Sequence, residues 1–424
     1  MKNKQAITLL FAANIVSGFA QGISMLAIPW YFADILGMSS TYAKGYAILT
    51  FVSLFWSLYS GTLVDRYSRK KLFLYSNLAC ALIIGSAAFY GISNGHTPWV
   101  LALAVFGTTM FHYSIHYPNL YAFGQEITEP ENYGKLNSYI EIQGQSTSIF
   151  AGAFAAILLS GTENHVMNLM GINIPLPFNI TPWEIHEIFL MDAITYIAAF
   201  LIILFIKYQP LVQNEIDKGS VLDRLKVGIN YLNENPLIFI FGVCSYMIFT
   251  FLIVEMFVLV PSYVNNYLGG GGNVFASSEV YYSIGAVLAG MSIRPLFQRW
   301  NTVLGVITLM LATIAGCLLL AYTQSVWIFY AISLLIGITN AGTRVLRITY
   351  LFNHVPNNII GRSGSVFNSL SVIIRTAMIS AFSLPFFMTG NNARWGYLVG
   401  AIFISIALLP LILNYKKLIA LEKN

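Results

Sequence analysis

Several ionisable residues of this chain fall inside long apolar stretches, where they could carry proton or anion chemistry. Glu141, Glu255 and Asp192 are the candidate proton carriers, and Arg375 lies near the middle of its apolar run. A charged side chain at bilayer depth costs ~2.5–3.5 kcal/mol on insertion scales, so such residues are usually paired or lie beside water. A carboxylate in this setting can exchange protons, whereas an arginine fork matches carboxylate and phosphate groups.

Glu141 is the strongest proton-carrier candidate, because polar residues surround it in the sequence. These neighbours are Asn137, Gln143, Gln145 and Ser146. We expect a hydrated or hydrogen-bonded environment in which partial desolvation favours proton binding, and a purely structural hydrogen-bond anchor is the alternative. Glu255 is the next candidate. Asp192 is a third, although we expect it, with Asp34 and Glu279, near the outer surface, where solvation lowers the need for a special role.

Four arginines, Arg294, Arg344, Arg347 and Arg375, lie within apolar runs and differ in their depth. The partner of Arg375 is left open, with Glu141, Glu255 and an anionic substrate group as the alternatives. Arg344 and Arg347 lie nearer the cytoplasmic end of their run, so we expect them to snorkel to the interface.

His112 and His116 are four residues apart and therefore share one face of a helix, with Tyr113 beside them. Such a pair could bind a metal or relay protons, but no third ligand is evident from the spacing. Hydrogen-bonded cavity residues are the favoured interpretation. Gln145 and Trp30 complete the predicted substrate cavity, which consists of these residues and Arg375.

Composition places these residues in a membrane protein. Of the 424 residues, 57% are hydrophobic and only 9% are charged, which excludes a soluble protein. The net charge of +5 does not indicate nucleic-acid binding, because Lys and Arg are scattered in short turns. Cys80, Cys244 and Cys317 lie in apolar runs without metal-like spacing, and they are expected to be small core residues. No nucleotide-binding motif is present, and no cofactor is predicted.

Apolar runs of membrane-spanning length number twelve, and a polar segment divides them into two groups of six. The runs cover residues 6–36, 43–65, 72–93, 98–123, 135–160, 185–207, 236–264, 276–298, 301–322, 325–351, 364–389 and 395–415. We therefore predict an N-terminal six-helix bundle at 1–207, a cytoplasmic linker with a surface helix at 208–235, and a C-terminal bundle at 236–424. Most of the 22 Lys and Arg residues then fall on one side, which predicts cytoplasmic termini.

A dense charge cluster joins the second and third runs, from Gly61 to Lys71. Gly61 permits close helix approach, and the Asp65 carboxylate at a helix end needs a cation or a helix N-terminus. This stretch resembles the Gly-x-Leu-Ala-Asp-Arg-x-Gly-Arg-Lys signature of the major facilitator superfamily, with Arg66 and Arg69 on the pattern. The resemblance implies a conformational clasp in which Asp65 approaches the start of the eleventh helix, near 362–364, and Arg69 reaches Glu126.

An internal repeat supports the two-half architecture. Pro130 to Ser138 and Pro356 to Ser365 each place a proline, then a glycine and a basic residue, before the fifth and eleventh runs. With Met191-Asp192-Ala193 and the surface helix at 221–232, these features resemble the macrolide-efflux branch of drug:proton antiporters. The outer segment 161–184 is expected to be an ordered loop.

The resemblance implies an all-α transporter of the major facilitator fold, with twelve transmembrane helices in two pseudo-symmetric six-helix halves, and not an enzyme. We expect a monomer in the bacterial inner membrane that exports an amphipathic small molecule by alternating access, with proton antiport as the expected coupling. The alternatives are a lysophospholipid or other lipid flippase, an exporter of an anionic metabolite or siderophore, and a non-transporting receptor or scaffold on the same fold.

Overall fold

The computed structural model describes residues 3–162, 164–210, 221–297 and 301–422. The chain separates into two compact units. Unit 1 contains Met1–Gly37 and Val52–Lys218, and unit 2 contains Met38–Phe51 and Gly219–Asn424. The outer part of the second helix therefore belongs to unit 2 although it precedes the linker in sequence. The division at the linker falls where the sequence changes from apolar to polar.

Long helices form both units. The first six are α1 (Lys4–Trp30), α2 (Ser39–Arg66), α3 (Arg69–Asn94), α4 (Trp99–Ile127), α5 (Tyr133–Ser160) and α6 (Ile185–Leu204). The remainder are α7 (Val221–Glu234), α8 (Pro236–Val254), α9 (Gly272–Phe297), α10 (Thr302–Tyr322), α11 (Val326–His354), α12 (Asn357–Phe382), α13 (Arg394–Leu413) and α14 (Tyr415–Glu422). A short helix, Pro385–Met388, lies between α12 and α13.

Eleven helical segments in the described ranges are long and apolar enough to cross a membrane. They include every long helix except α4, which has 29 residues but contains the polar residues His112, His116 and Asn119. At about 1.5 Å per residue, α4 is still long enough to span a bilayer. The predicted all-α membrane architecture is therefore confirmed, and the fourth helix differs from the others in its polar interior face.

The predicted boundary of the eleventh spanning helix is displaced. We expected it at 364–389, but α12 begins at Asn357 directly after Pro356 and ends at Phe382. Pro385 then begins the separate short helix, because proline disfavours helical conformation in the residue before it. Pro130 likewise begins a 3-10 turn that leads into α5. The two repeated motifs, Pro130 to Ser138 and Pro356 to Ser365, thus lie at the beginnings of α5 and α12.

Wide π-helical turns interrupt two of the spanning segments. Tyr31–Ile35 continues α1 just after Pro29, and Glu255–Leu259 and Tyr263–Leu268 flank Pro261 beyond α8. Proline lacks a backbone N–H and disturbs the helical ladder, which accounts for the wide turns beside it. Such turns occur frequently at functional sites. Glu255 is the first residue of one of them.

The outer segment after α5 contains a small antiparallel hairpin. Strands β1 (Val166–Leu169) and β2 (Ile172–Pro175) pair with Leu169 opposite Ile172. Positive φ angles at Met170 and Gly171 fit the primed turn that a two-residue hairpin connection needs. The prediction of an ordered loop did not anticipate strands, because methionine is not a usual residue for such a turn.

The predicted surface helix is present as α7, but its apolar side packs against protein. Leu232 belongs to a buried cluster with Ile238, Val366 and Phe367, and Gly228 lies against the backbone of Arg362. A side chain at Gly228 would meet the Arg362 carbonyl oxygen at 2.6 Å. Val227 and Ile229 of the same helix are exposed, so its position on the membrane surface stays a prediction. The side chains of Asp223 and Arg224 lie outside the described set.

Each unit has its own apolar core. In unit 1 the cluster includes Phe73, Leu120 and Phe123, which join α3 and α4 to α1, α5 and α6. The three cysteines are free and buried, as the sequence indicated. This packing fixes the helices that carry the polar residues of the candidate site.

Candidate functional site

A groove in unit 1 lies between α1 and α5. Its volume is about 760 Å³. The lining residues are Ile7, Thr8, Phe11, Ala12, Ile15, Phe19, Tyr139, Ile142, Gln143, Ser146, Thr147, Phe150 and Phe154. The wall is mainly apolar with a few hydroxyl and amide groups, and no charged side chain lines it. Such a surface suits a molecule with a large apolar body and a few polar groups.

Hydrogen bonds connect the groove to the interior of unit 1. Asn14 Nδ2 donates to Gln143 Oε1 at 2.6 Å, and the ring nitrogen Nε2 of His116 lies 2.6 Å from Asn14 Oδ1. Because an amide oxygen can only accept, His116 Nε2 is the donor in this arrangement. The fifth helix, the first and the fourth are joined by these two bonds.

His112 and His116 lie together in the core of unit 1, with 4% and 6% of their surfaces exposed. Their ring centroids are 5.0 Å apart, and His112 packs edge-on against Tyr196 at 5.2 Å. The predicted hydrogen bonding is present for His116, while both ring nitrogens of His112 lack a partner. Contact with a substrate stays a prediction for this pair. Among the described residues, no group of three metal-ligating side chains accompanies them.

Asp192 is fully buried in α6, and neither carboxylate oxygen has a hydrogen-bond partner. The expectation of a solvated position near the outer surface is wrong, because this face of α6 packs into the core beside α1 and α3. Cys80 and Tyr196 lie within electrostatic range of the carboxylate, and the Ser24 hydroxyl is close without hydrogen-bond geometry. An isolated buried charge is very costly, so this environment favours the protonated acid.

Glu141 is hydrogen-bonded, as its neighbours in the sequence suggested, but it is not desolvated. It is exposed, and its Oε1 accepts a hydrogen bond of 3.0 Å from the Tyr121 hydroxyl. The predicted desolvation is therefore wrong. Residue type and spacing located a polar face of α5 correctly, but Gln143 rather than Glu141 is the residue that points toward the bundle interior and bonds to Asn14.

Glu255 is a buried carboxylate of unit 2, with 6% of its surface exposed, and Glu279 lies within electrostatic range of it. The Tyr397 hydroxyl donates to Glu255 Oε1 at 2.9 Å. Tyr263 packs edge-on against Tyr397 at 4.8 Å between ring centroids, and its own hydroxyl donates to Leu320 O at 2.8 Å. The sequence identified Glu255 but gave no sign of the tyrosine that binds it, which is 142 residues away.

Arg375 on α12 is partly buried, and its buried Nε atom has no hydrogen-bond partner. The guanidinium lies within electrostatic range of Tyr46, which also belongs to unit 2. Within the described part of that unit, no ion pair joins Arg375 to Glu255. An anionic group of a substrate stays open as a partner.

Arg347 does not snorkel to the interface as expected. It is 6% exposed, its Nη1 donates to Ser245 O at 3.0 Å, and its guanidinium stacks over the Tyr246 ring at 3.9 Å. The α8 backbone and an aromatic face thus hold the charge in the core. Arg344 is only partly buried and interacts with Tyr282.

The other predicted cavity residues differ in exposure. Trp30 is 3% exposed at the end of α1, and Gln145 is partly buried on α5. Tyr113 is 50% exposed and packs against Tyr117 with 4.4 Å between ring centroids. The structure does not gather these three at one point, so their role in substrate binding stays a prediction.

The charge cluster after α2 is anchored within unit 1. Arg69 Nη1 lies 2.7 Å from Glu126 Oε2, which is the predicted contact. Lys70 donates to the carbonyl oxygens of Leu204 and Ile206 at 3.0 and 2.8 Å, and so caps the end of α6. Gly61 has open space around it, and Arg66 is exposed. The side chain of Asp65 lies outside the described set, so its predicted approach to α12 stays a prediction.

The Tyr208 side chain lies beside this ion pair and responds to its charges. Tyr208, which follows α6 beyond the spanning segment, interacts with Glu126 and Arg69. Burial and the negative charge of Glu126 raise the pKa of Tyr208 above its usual value. The Glu126 carboxylate therefore interacts with Arg69 on α3 and with Tyr208 after α6.

A family model identifies the chain. Residues 10–379 match the model described as Major Facilitator Superfamily. The chain belongs to the major facilitator superfamily. It is accordingly a membrane transporter, and the six-plus-six helical architecture indicated by the sequence is that of this family. No curated protein matches the sequence.

Solved transporters share the major facilitator fold at low sequence identity. A bacterial homologue of the human lysosomal transporter Spinster, in an inward-facing and unoccupied conformation, has a TM-score of 0.72 at 10% identity, covering 99% of this chain and 98% of its own. A mutant form of the nucleoside transporter NupG has a TM-score of 0.70 at 14% identity, covering 96% and 99%. A bacterial homologue of the iron transporter ferroportin, inward-facing, has 0.69 at 13%, covering 96% and 98%.

Proposed function

We propose that this transporter exports an amphipathic small molecule by alternating access in exchange for protons. The observation that carries the proposal is the pairing, inside unit 1, of a largely apolar groove with a fully buried and unpartnered Asp192. The groove supplies a surface for the substrate, and the carboxyl group supplies a proton site. This combination is what a drug:proton antiporter of the macrolide-efflux type needs.

The proposed substrate has a bulky apolar body because the groove offers several phenylalanine and isoleucine side chains. Thr8, Gln143, Ser146 and Thr147 provide hydrogen-bonding groups along the same wall. Since no charged side chain lines the groove, affinity comes mainly from apolar contact, and the polar groups orient the molecule. A wide range of amphipathic compounds can then bind in the groove, which multidrug efflux requires.

Proton coupling follows from the two buried carboxylates, Asp192 and Glu255. Each is more stable as a neutral acid in an apolar setting and more stable as an anion when water enters. A change of conformation that hydrates either group would release its proton on one side of the membrane. We place the protein's termini in the cytoplasm, the chain in a bacterial inner membrane, and treat the monomer as the transporting unit.

A lysophospholipid flippase is the second candidate. The unpartnered Nε of Arg375 favours it, because a guanidinium with a free donor suits a phosphate-containing headgroup. The nucleoside and iron transporters among the structural relatives widen the range of substrates that the same fold accommodates, so a nucleoside belongs in the same screen.

Inverted membrane vesicles with an imposed pH gradient test the proposal. A panel of rhodamine 6G, erythromycin, a lysophospholipid and a nucleoside is offered, and uptake is compared with vesicles lacking the protein and with vesicles treated with a protonophore. We expect uptake of the dye or the macrolide that the protonophore abolishes. Uptake of the lysophospholipid alone would favour the flippase, and gradient-independent uptake of every compound would reject proton exchange.

A further inference from the structure

A series of buried polar side chains crosses unit 1 from the groove to Asp192. Its members, in spatial order, are Gln143, Asn14, His116, His112, Tyr196 and Asp192. Gln143 lines the groove, and Asp192 is fully buried at the other end. Four helices, α5, α1, α4 and α6, contribute to the series. An apolar core of a helical bundle has no packing need for such a row.

The groove end of the series is hydrogen-bonded. Gln143 accepts from Asn14, and Asn14 accepts from His116 Nε2, both at 2.6 Å. This second bond holds a proton on Nε2 and leaves Nδ1 of the neutral ring as an acceptor. Nδ1 is buried and has no partner. The two amides therefore fix which nitrogen of His116 is able to take up a further proton.

The interior end contains polar atoms that lack partners. Both ring nitrogens of His112, the Tyr196 hydroxyl and both oxygens of Asp192 are buried and unpaired. Buried polar atoms in native proteins are nearly always hydrogen-bonded, through water where no side chain is available. Ser24 Oγ and Asn77 Oδ1 in the same unit are also buried without a partner, whereas the Thr109 hydroxyl donates to Val105 O at 3.0 Å within its own helix. The series contains the unpaired atoms that can take up or release a proton.

The groups around Asp192 offer no compensating cation. Cys80 on α3, Tyr196 on α6 and the hydroxyl of Ser24 on α1 face it, and His112 on α4 lies beyond Tyr196. Among the described residues, no Lys or Arg forms an ion pair with Asp192. The nearest groups that can take its proton are the two histidines.

We propose that this series is a proton relay that couples occupancy of the groove to the charge of Asp192. The inference rests on the proposed function and assigns the residues that link substrate to proton. In the transfer, the O–H bond of the Asp192 acid breaks and an N–H bond forms on the histidine pair, with Tyr196 and bridging water between them. In this internal step the cluster keeps its net charge, and the product is a carboxylate close to an imidazolium. The imidazolium then loses its proton to water, which releases one proton from the protein. The two amides do not transfer protons.

Substrate acts on the relay through Gln143. A hydrogen-bonding group of the substrate that engages the Gln143 amide competes with Asn14. Once released, Asn14 is free to reorient and no longer requires a proton on His116 Nε2, so the histidine pair changes its affinity for the Asp192 proton. Binding of substrate in the groove thereby moves a proton between Asp192 and the histidine pair.

Infrared spectroscopy of the whole protein in lipid nanodiscs tests the relay. The carboxylic-acid band of Asp192 is identified by its loss in Asp192→Asn, and its exchange rate is followed after transfer from H₂O to D₂O. We expect His112→Phe, which keeps the ring packing against Tyr196, to slow this exchange by roughly tenfold. His112→Gln serves as a second variant should the phenylalanine form fail to fold. Thr109→Val, a buried change on the same helix outside the series, should leave the rate unchanged.

Three outcomes separate the relay from the proposed function. Equal exchange rates in His112→Phe and Thr109→Val, or no Asp192 acid band at neutral pH in the parent protein, would overturn the relay. If the relay is overturned in this way but Asp192→Asn still abolishes gradient-driven uptake of rhodamine 6G, the proposed function stands without the relay. If Asp192→Asn transports normally while exchange depends on His112, the relay stands and coupling through Asp192 is wrong.

Discussion

The two units bury their carboxylates in different ways. In unit 2, Glu255 accepts a hydrogen bond from Tyr397, which is held in turn by aromatic packing against Tyr263. In unit 1, neither oxygen of Asp192 has a hydrogen-bond partner, and His112 packs against Tyr196, one turn further along α6. A hydrogen bond from a donor stabilises the ionised carboxylate, whereas an unpartnered acid changes its stability sharply with hydration. The comparison makes Asp192 the better candidate for the exchangeable proton of the proposed function.

The largest expected effect is on gradient-driven transport. Asp192→Asn should reduce pH-driven uptake of rhodamine 6G to the level of vesicles without the protein, because a neutral amide releases no proton. Exchange of dye across the membrane without a gradient should persist. Glu255→Gln should retain a measurable part of the driven uptake. The opposite order, with Glu255→Gln inactive and Asp192→Asn active, would reverse the roles of the two units.

A second contrast concerns helix packing. A Cβ on Gly337 of α11 would collide with the Tyr282 carbonyl of α9, whereas one on Gly85 of α3 would make only ordinary contact with Ala193 at 3.5 Å. We expect Gly337→Ala to lower the free energy of unfolding by about 1–3 kcal/mol through overpacking. Gly85→Ala should be close to neutral. Gly290→Ala, on α9 with open space around it, is the control within unit 2.

Thermal unfolding in detergent measures these three glycine variants side by side. Equal losses of stability in Gly337→Ala and Gly290→Ala would show that the crossing of α11 and α9 accommodates an added methyl group.

A smaller effect distinguishes the two buried tyrosines next to the acids. Tyr397→Phe removes the donor to Glu255 and leaves a buried acceptor unpaired, which should cost about 1–3 kcal/mol of stability. Tyr196→Phe removes a hydroxyl that does not donate to a buried carboxylate, so its loss of stability should be smaller than that of Tyr397→Phe. Denaturation of both variants under the same conditions checks the contrast, and equal losses would contradict it.

The smallest effect is expected at the ion pair of the charge cluster between α2 and α3. Arg69 and Glu126 have 16% and 11% of their side-chain surfaces exposed. A double-mutant cycle with Arg69→Gln and Glu126→Gln should give a coupling energy of about 1 kcal/mol, which decreases at high salt because water partly screens the pair. A coupling energy near zero at low salt would mean that the contact contributes nothing to unit 1.

The sequence predicted the membrane-spanning architecture because apolar length and the Lys and Arg distribution are local properties. The same holds for the shared face of His112 and His116, four residues apart. It did not predict the burial of Asp192, since a carboxylate two turns into a helix is solvated or buried according to which helices pack around it. The Asn14 to His116 bond spans 102 residues in sequence, and only the tertiary packing brings these residues together. The sequence favoured Glu141 over Gln143 as a site residue for the same reason, because only the tertiary packing shows which of the two points toward the bundle interior.

Proton release on substrate binding tests the central claim most directly. Rhodamine 6G is added to the purified protein in lightly buffered nanodiscs, and the pH of the solution is followed. We expect the parent protein and Glu255→Gln to release protons and Asp192→Asn to release none. Release that persists in Asp192→Asn, or its absence from the parent protein while the dye is bound, would contradict the exchange of substrate for a proton held on Asp192.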